Sequence, residues 1–223
     1  MQRFFDILFS VSGLLILSPL LVTLIIVLRV TGEGEIFFLQ DRVGFGGQSF
    51  SLFKFATMLK NSPNIGTGTV TLYKDPRILP LGVFLRRSKL NELPQLINIL
   101  KGDMSFIGPR PQTKRCFDAF SDLSQQKIIK VRPGLSGLGS IIFRNEEEMM
   151  QASDNPNQFY DNVLMRYKGK LEEWYSDNHN IWTYFILIWL TIWAVLFSNS
   201  KVIWKIFKKL PRPPKELERW ILQ

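Results

Sequence analysis

Apolar positions along the chain fall into two long blocks, one near each end, with a mixed region between them. The first, FFDILFSVSGLLILSPLLVTLIIVL from Phe4 to Leu28, is apolar except for Asp6 and a few hydroxyls. A helix that crosses a bilayer needs roughly 20 such residues, so this block reads as a membrane segment. A signal peptide fits less well, because its apolar core would be about 7–15 residues and no small-x-small cleavage site follows. Ser18-Pro19 falls in the middle, where proline removes an intrahelical hydrogen bond and crowds the preceding turn. Arg3 and Arg29 flank the block almost symmetrically, which places both ends on the cytoplasmic side. Two arrangements fit these residues: a helix broken at Ser18-Pro19 that enters and leaves one leaflet, or a kinked helix that spans.

After Arg29 the pattern shortens. EIFFLQ, DRVGFGGQ and SFSLFKF read as strand, turn and strand. Glycines 44, 46 and 47 have the look of a phosphate loop, but no βαβ unit surrounds them, and a hairpin turn is the better reading. NSPNIGTGTVT, residues 61–71, is rich in turn formers and predicts a flexible loop. Leu90, Leu93, Ile97 and Leu100 then recur at helical spacing and predict a helix over residues 91–101. Pro94 suits a first turn, which puts Asn91 at or near the N-cap and Glu92 in the first turn. Asn and Glu are ordinary residues at a helix start. The same geometry is an anion site, so a structural and a chemical reading both stand.

Beyond residue 144, NEEEMMQASDNPNQFYDNV predicts an acidic surface loop with a helix start. IWTYFILIWLTIWAVLF, Ile181 to Phe197, is the second apolar block and is short for a comfortable span. Its Trp182, Tyr184, Trp189 and Trp193 suit a membrane interface. KVIWKIFKKLPRPPK alternates cationic and apolar residues and predicts an amphipathic helix on an anionic leaflet. A tilted second span and a buried core helix are the alternatives for the apolar block. The fold class expected is α+β, mainly α. Its parts are a re-entrant membrane anchor (residues 1–30), a cytoplasmic catalytic domain with a β-hairpin (31–180) and interfacial helices (181–223).

Charge narrows the chemistry. The 28 Lys and Arg against 19 Asp and Glu give a net charge of +9, which favours anionic partners. One cysteine, Cys116, leaves no disulfide framework, and one histidine, His179, argues against histidine-rich metal sites. No motif that reads nucleic acid is present, so phosphate-bearing substrates and lipid remain. Two Arg-Pro turns stand out: Arg110 in GPRP, and Arg132 in KVRPGLSGLGS with glycines 134, 137 and 139. Guanidinium groups bind phosphate oxygens in a forked way, so the pair could clamp a diphosphate; solvated surface arginines are the plainer reading of either one.

Taken together, several long motifs in order resemble the monotopic phosphoglycosyl transferase family, bacterial sugar transferases that prime glycan assembly on polyprenyl phosphate. RFFDILFSVSGLLILSPL resembles the family's re-entrant helix with its Ser18-Pro19 break. EIFFLQDRVGFGGQSFSLFKFATM resembles the block that usually ends KFRTM or KFKTM. LRRSKLNELPQLINILKGDMSFIGPRP resembles the catalytic block, and KVRPGLSGLGS the VRPGITG segment. The resemblance implies Mg2+-dependent transfer of a phosphosugar from a UDP-sugar to undecaprenyl or another polyprenyl phosphate, releasing UMP. It also implies work at the cytoplasmic face of the inner membrane, in contact with membrane lipid, as a monomer or homodimer. Exopolysaccharide or lipopolysaccharide synthesis is the expected setting. Carried residue by residue, it makes Asn91 and Glu92 the catalytic and Mg2+-binding pair. Lys54, Arg86, Arg110 and Arg132 become the phosphate-binding set.

Three positions depart from the pattern. The family usually has Asp where this chain has Asn91, and that Asp is taken as the nucleophile that forms an acyl-phosphate. The basic residue of KFRTM is Ala56, and Tyr184 stands where an Asp often follows. Glu92 acting as nucleophile, direct reaction of the two phosphates, and a silent relative that scaffolds glycan assembly are the readings this leaves open.

Overall fold

The computed structural model describes residues 1–65, 75–144, 146–151, 155–197 and 202–222. The chain divides into two compact units, the first made of Arg3–Asp41 and Ser51–Gly102, the second of Met1–Gln2, Arg42–Phe50 and Asp103–Gln223.

In the first unit, α1 (Gln2–Val30) is one helix of 29 residues with Pro19 inside it. The expected division into two helices at Ser18-Pro19 is not made, and the reason is local. Pro19 has no N–H to offer the carbonyl of Leu15 four residues back. The Ser18 hydroxyl donates to that same carbonyl at 2.8 Å, and the Thr23 hydroxyl donates to the Pro19 carbonyl at 2.8 Å. The acceptor that proline would orphan is thus satisfied from the adjacent side chain, which is how a helix tolerates proline in an apolar medium. One side of α1 joins a core, where Leu24 and Leu28 pack with Phe55 and Leu85. The other side exposes Phe4, Leu15, Ile16, Ile26 and Val30. By length and composition α1 is apolar enough to cross a membrane, and much of its surface is unpacked.

β1 (Phe37–Val43) and β2 (Ser49–Phe55) form a two-stranded sheet. The hairpin is as expected, with β1 carried on through Asp41, Arg42 and Val43. In its turn, Gly46 and Gly47 adopt φ of 66° and 76°, the left-handed region that glycine enters without steric cost. α2 (Pro80–Arg87) starts at a proline, whose missing N–H costs nothing there. Gly82 presses α2 against the chain after β2: a Cβ there would lie 2.1 Å from the Thr57 carbonyl oxygen. Ahead of α2, Arg77 and Asp75 form a buried fork, with Nε and Nη2 at 2.8 and 2.5 Å from the two carboxylate oxygens. Arg77 Nη1 also donates to the carbonyls of Ser62 and Ile65 at 2.9 and 2.8 Å. The near end of the loop expected over residues 61–71 is therefore pinned; its residues 66–71 lie outside the described residues.

α3 (Gln95–Lys101) corrects the helix expected to begin at Asn91. Leu90–Glu92 is a separate 3-10 turn. Pro94 has no N–H to join that turn to the helix, so it stands at the N-cap of α3. Leu93 N–H reaches only back to the Leu90 carbonyl, at 3.2 Å. At the far end Gly102 closes the helix with φ of 99°. The Arg3 guanidinium donates to the carbonyls of Ile99 and Leu100. A cation thus sits on the negative end of α3 and pins the start of α1 to it.

In the second unit, β3 (Ser105–Ile107) is followed by α4 (Lys114–Asp118) and α5 (Asp122–Ile128). Thr113 and Ser121 cap these two helices by accepting from the N–H groups of Cys116 and Ser124. β4 (Gly134–Ser136) then pairs in parallel with β3, Ser105 opposite Gly134 and Ile107 opposite Ser136. α6 (Leu138–Ile142), α7 (Glu146–Gln151), α8 (Pro156–Phe159), a π-helical turn (Tyr160–Leu164) and α9 (Met165–Asn178) follow. The acidic loop expected near residue 146 is therefore helical in part. Met149 and Met150 are buried there, and Glu146 Oε1 lies 2.6 Å from Lys168 Nζ. α9 packs along α5; Lys127 meets Asp177 at 2.5 Å across them.

α10 (Ile181–Phe197) sends Tyr184, Leu187 and Leu190 into the core of this unit and leaves Trp182, Trp189, Leu196 and Phe197 exposed. The long amphipathic helix expected after it is reduced to α11 (Val202–Ile206). Pro211, Pro213 and Pro214 cannot donate to a helical ladder, and the chain stays irregular until α12 (Lys215–Ile221). Ile203, Leu210, Leu217 and Ile221 are buried, and the Tyr167 hydroxyl donates to the Pro211 carbonyl at 2.8 Å. This tail is a strap packed on its own unit.

The parallel pair β3–β4 tests how closely backbones can approach. A Cβ on Gly134 would lie 2.1 Å from the Gly108 nitrogen, so Gly134→Ala is expected to lose about 1–3 kcal/mol or more through overpacking. Denaturant unfolding of the two purified proteins in detergent measures it, and equal midpoints would refute the close approach.

Candidate active site

The segment expected to be catalytic folds around one unusual residue. Lys89 has φ of 60° and ψ of 10°, and among the described residues it is the non-glycine with positive φ. A lysine held left-handed costs of order 1 kcal/mol and reverses the chain sharply after α2. The reversal leads straight into Leu90–Glu92. Asn91 is 6% exposed, and its Oδ1 has no hydrogen-bond partner. One helical turn on, Gln95 is 2% exposed, and its Nε2 also lacks a partner. Asn91 is therefore not the helix cap that its residue type allows; it is a buried amide with an unmet acceptor. A buried unpaired polar atom costs roughly 1–3 kcal/mol, so Asn91 and Gln95 each carry such a cost. Glu92, the next residue, is half-buried.

The first unit also holds Lys54, half-buried on β2, and Arg86, half-buried in the last turn of α2. Arg86 Nη1 lies 3.9 Å from the Met58 sulfur. Gly82, one turn before Arg86, fixes α2 against Thr57, so the glycine contact sets the position of the arginine.

Arg110 and Arg132 belong to the second unit. The structure brings the two Arg-Pro turns into one ladder: Ser105 N–H donates to the Pro133 carbonyl at 2.9 Å, Gly134 N–H to Pro109 at 2.9 Å, and Gly108 N–H to Ser136 at 3.0 Å. Arg110 is half-buried and Arg132 exposed. The Arg132 guanidinium carbon stands 5.7 Å from the ring centre of Phe45 at the hairpin tip. Gly46 N–H donates to the Ile129 carbonyl at 2.8 Å and holds that tip in place. Among the described residues, no three His, Cys, Asp or Glu side chains gather as a metal-binding group.

The profile described as bacterial sugar transferase matches residues 1–198. The chain belongs to the bacterial sugar transferase family. It is 35% identical over 159 residues to the exopolysaccharide production protein ExoY of Sinorhizobium fredii, covering 65% of this chain and 70% of that one. It is 32% identical over 218 residues to the undecaprenyl-phosphate galactose phosphotransferase of Salmonella typhimurium, covering 91% of this chain and 40% of that one. A third relative, the UDP-N-acetylgalactosamine-undecaprenyl-phosphate N-acetylgalactosaminephosphotransferase of Aeromonas hydrophila, is 31% identical over 197 residues, or 87% of this chain and 43% of that one. The chain thus spans less than half the length of these two phosphotransferases.

Two polar groups of this bacterial sugar transferase escape sequence reading. Gln95 looks like one more polar residue after a proline. Glu172 looks like part of a charged helix face, yet it is 4% exposed. Its signal lay in the spacing: Leu164, Lys168, Leu171, Glu172 and Tyr175 share the buried side of α9 and the turn before it. Glu172 Oε1 accepts from Gly139 N–H at 3.3 Å, and its Oε2 is unpaired. Burial pushes the Glu172 carboxyl up to about 8, only partly opposed by the Gly139 N–H and the Lys168 charge.

The folded chain therefore holds a proton on Glu172 that the unfolded chain releases from about pH 4.5 upward. The stability this contributes is full below pH 4.5, declines as pH rises, and is lost above about 8. Glu172→Gln keeps the shape without the titration. Its melting temperature is expected to match wild type near pH 5 and to exceed it at pH 8.5. A wild-type excess at pH 8.5 would contradict a neutral buried carboxyl.

Proposed function

We propose that this chain transfers a phosphosugar from a UDP-sugar to undecaprenyl or another polyprenyl phosphate, at the cytoplasmic face of the inner membrane. The products are a polyprenyl-diphospho-sugar and UMP, the first lipid-linked unit of an exopolysaccharide or lipopolysaccharide. Family membership supports the reaction class, and the names of the relatives support the two substrates. The observation that carries the site is the unmet Oδ1 of buried Asn91, with half-buried Glu92 next to it in the chain.

An acceptor phosphate oxygen must form a bond to the sugar-bearing phosphorus, and the bond from that phosphorus to UMP must break with its electron pair leaving on UMP. Two anions meet, so cations are required around them. Lys54 and Arg86 are the candidates in the first unit, Arg110 and Arg132 in the second. The half-buried setting of Arg86 and Arg110 keeps their charge less screened than a fully exposed one. The Phe45 ring restricts where Arg132 can point.

Mg2+ binds hard oxygens, often through one or two protein groups with substrate phosphates and water completing the shell. The Asn91 Oδ1 and the Glu92 carboxylate fit that donor set. When bound there the ion would neutralise diphosphate charge. Asn91 is no match for a carboxylate as a nucleophile, because its nitrogen lone pair is delocalised into the carbonyl and its neutral oxygen attacks phosphorus poorly. Glu92 is then the essential carboxylate, either as an Mg2+ ligand or as the group that takes the phosphosugar and passes it to the acceptor.

With purified full chain, Mg2+, undecaprenyl phosphate and a panel of UDP-sugars, UMP release is the readout. Glu92→Gln is expected to abolish it. Asn91→Asp is expected to give little gain, with any trapped phosphosugar adduct on Glu92. A large gain with the adduct on residue 91 would mean that Asn91 disables the site, and full activity in Glu92→Gln would defeat the proposal.

We also propose that α1, one helical run that bends sharply at Pro19 in the membrane, enters and leaves the same leaflet. Arg3 and Arg29 at its two ends support this. Cysteines placed at Gln2 and Gly32 are expected to react with an impermeant thiol reagent from the cytoplasmic side alone. Labelling from opposite sides would make α1 a spanning helix.

A further inference from the structure

A cavity of about 210 Å³ lies within the first unit where α1 ends, walled by Leu28, Ala56, Met58, Leu79 and Leu81. We infer that it receives the isoprene units nearest the phosphate of the acceptor lipid, an inference that rests on the transferase reading above.

Four observations converge on that occupant. The walls are apolar, so the ligand part they bury is hydrocarbon. Leu28 stands two residues before the end of the membrane helix, so the cavity lies at the level where the chain leaves lipid. A lipid tail can therefore reach it without crossing water. Met58, one of the walls, touches Arg86 through its sulfur at 3.9 Å. A guanidinium beside an apolar hole suits a ligand that is a phosphate at one end and hydrocarbon from the next atom on. Glu33 and Glu35 also line it. Lys60 ties both, its N–H donating to Glu33 at 2.5 Å and its Nζ to Glu35 at 2.6 Å. With Lys60 holding those carboxylates, the Met58–Arg86 contact sets the direction of entry: head toward Arg86, tail past Met58.

Size and sequence agree. At about 30 Å³ per carbon, a water-like share, 210 Å³ holds roughly one five-carbon isoprene unit and part of a second. Ala56 makes the space. It occupies the position where the family pattern usually carries a long basic side chain, and its single methyl leaves the wall open. The same departure that removes a cation from this block thus opens a hydrophobic seat.

The test uses the full chain in nanodiscs and geranyl phosphate carrying a diazirine on its second isoprene. After irradiation, mass spectrometry is expected to place the adduct on Ala56, Met58, Leu79 or Leu81. Unlabelled undecaprenyl phosphate is expected to displace it, and phosphatidylglycerol is not. Ala56→Leu fills the cavity and is expected to cut labelling about tenfold; the wild-type map stands whether or not that variant folds. An adduct confined to the lipid-facing side of α1 or to α10 would overturn the inference. Equal displacement by phosphatidylglycerol would do the same, by making this a general acyl-chain site. UMP release on the same preparation separates the two proposals. Release with labelling elsewhere removes the cavity alone, and cavity labelling without release from any UDP-sugar removes the transferase reading alone.

Discussion

Both units depend on places where one backbone lies directly on another with no side chain between. In the second, Gly108, Gly134 and Gly137 bring two Arg-Pro turns within hydrogen-bonding distance, and a methyl on any of them would stand about 2 Å from a main-chain atom. In the first, Gly82 does the same for α2 against Thr57. Arginines are long and flexible, so the phosphate-binding role proposed for them gains little from arginine alone. What makes them useful is a short, stiff base, and a glycine contact is the stiffest base a backbone can have. Arg86, Arg110 and Arg132 all stand within four residues of such a contact or on the ladder it permits.

Asn91 and Glu92 have a different kind of base. A left-handed lysine and a proline bracket them, one turning the chain and the other denying it a helical hydrogen bond. The pair is therefore held out of regular structure on both sides. An asparagine that capped a helix would have spent its oxygen on a backbone N–H. Here the oxygen is buried and unspent, which is the condition a ligand-binding group needs before its ligand arrives.

Much of this was legible beforehand. The hairpin showed in alternating strands around a glycine cluster, the apolar faces of α1 and α10 in unbroken hydrophobic runs, and the two Arg-Pro turns in their own spelling. What failed did so where tertiary contacts outweigh local pattern. Helical spacing from Leu90 to Leu100 put Pro94 inside the first turn of a single helix, whereas it separates a 3-10 turn from α3. The cationic and apolar alternation after Phe197 reads as one amphipathic helix, but three prolines divide it into α11 and an irregular stretch before α12. Glu172 shares the helical spacing of Leu164, Leu171 and Tyr175, but a carboxylate on that stripe reads as a surface charge until what packs over it is known. The pairing of the two Arg-Pro turns, far apart in the chain, needed the β3–β4 register to become visible.

The Ser18-Pro19 pair in α1 has a consequence beyond its own turn. The hydroxyl that replaces the missing N–H comes from the neighbouring residue and reaches a carbonyl in the same turn. No other segment takes part, and no water is needed. The defect that proline introduces and its repair are thus inherited as one two-residue cassette. Such a cassette can drift along an anchor, or be passed between unrelated anchors, without any compensating change in the soluble parts of the protein.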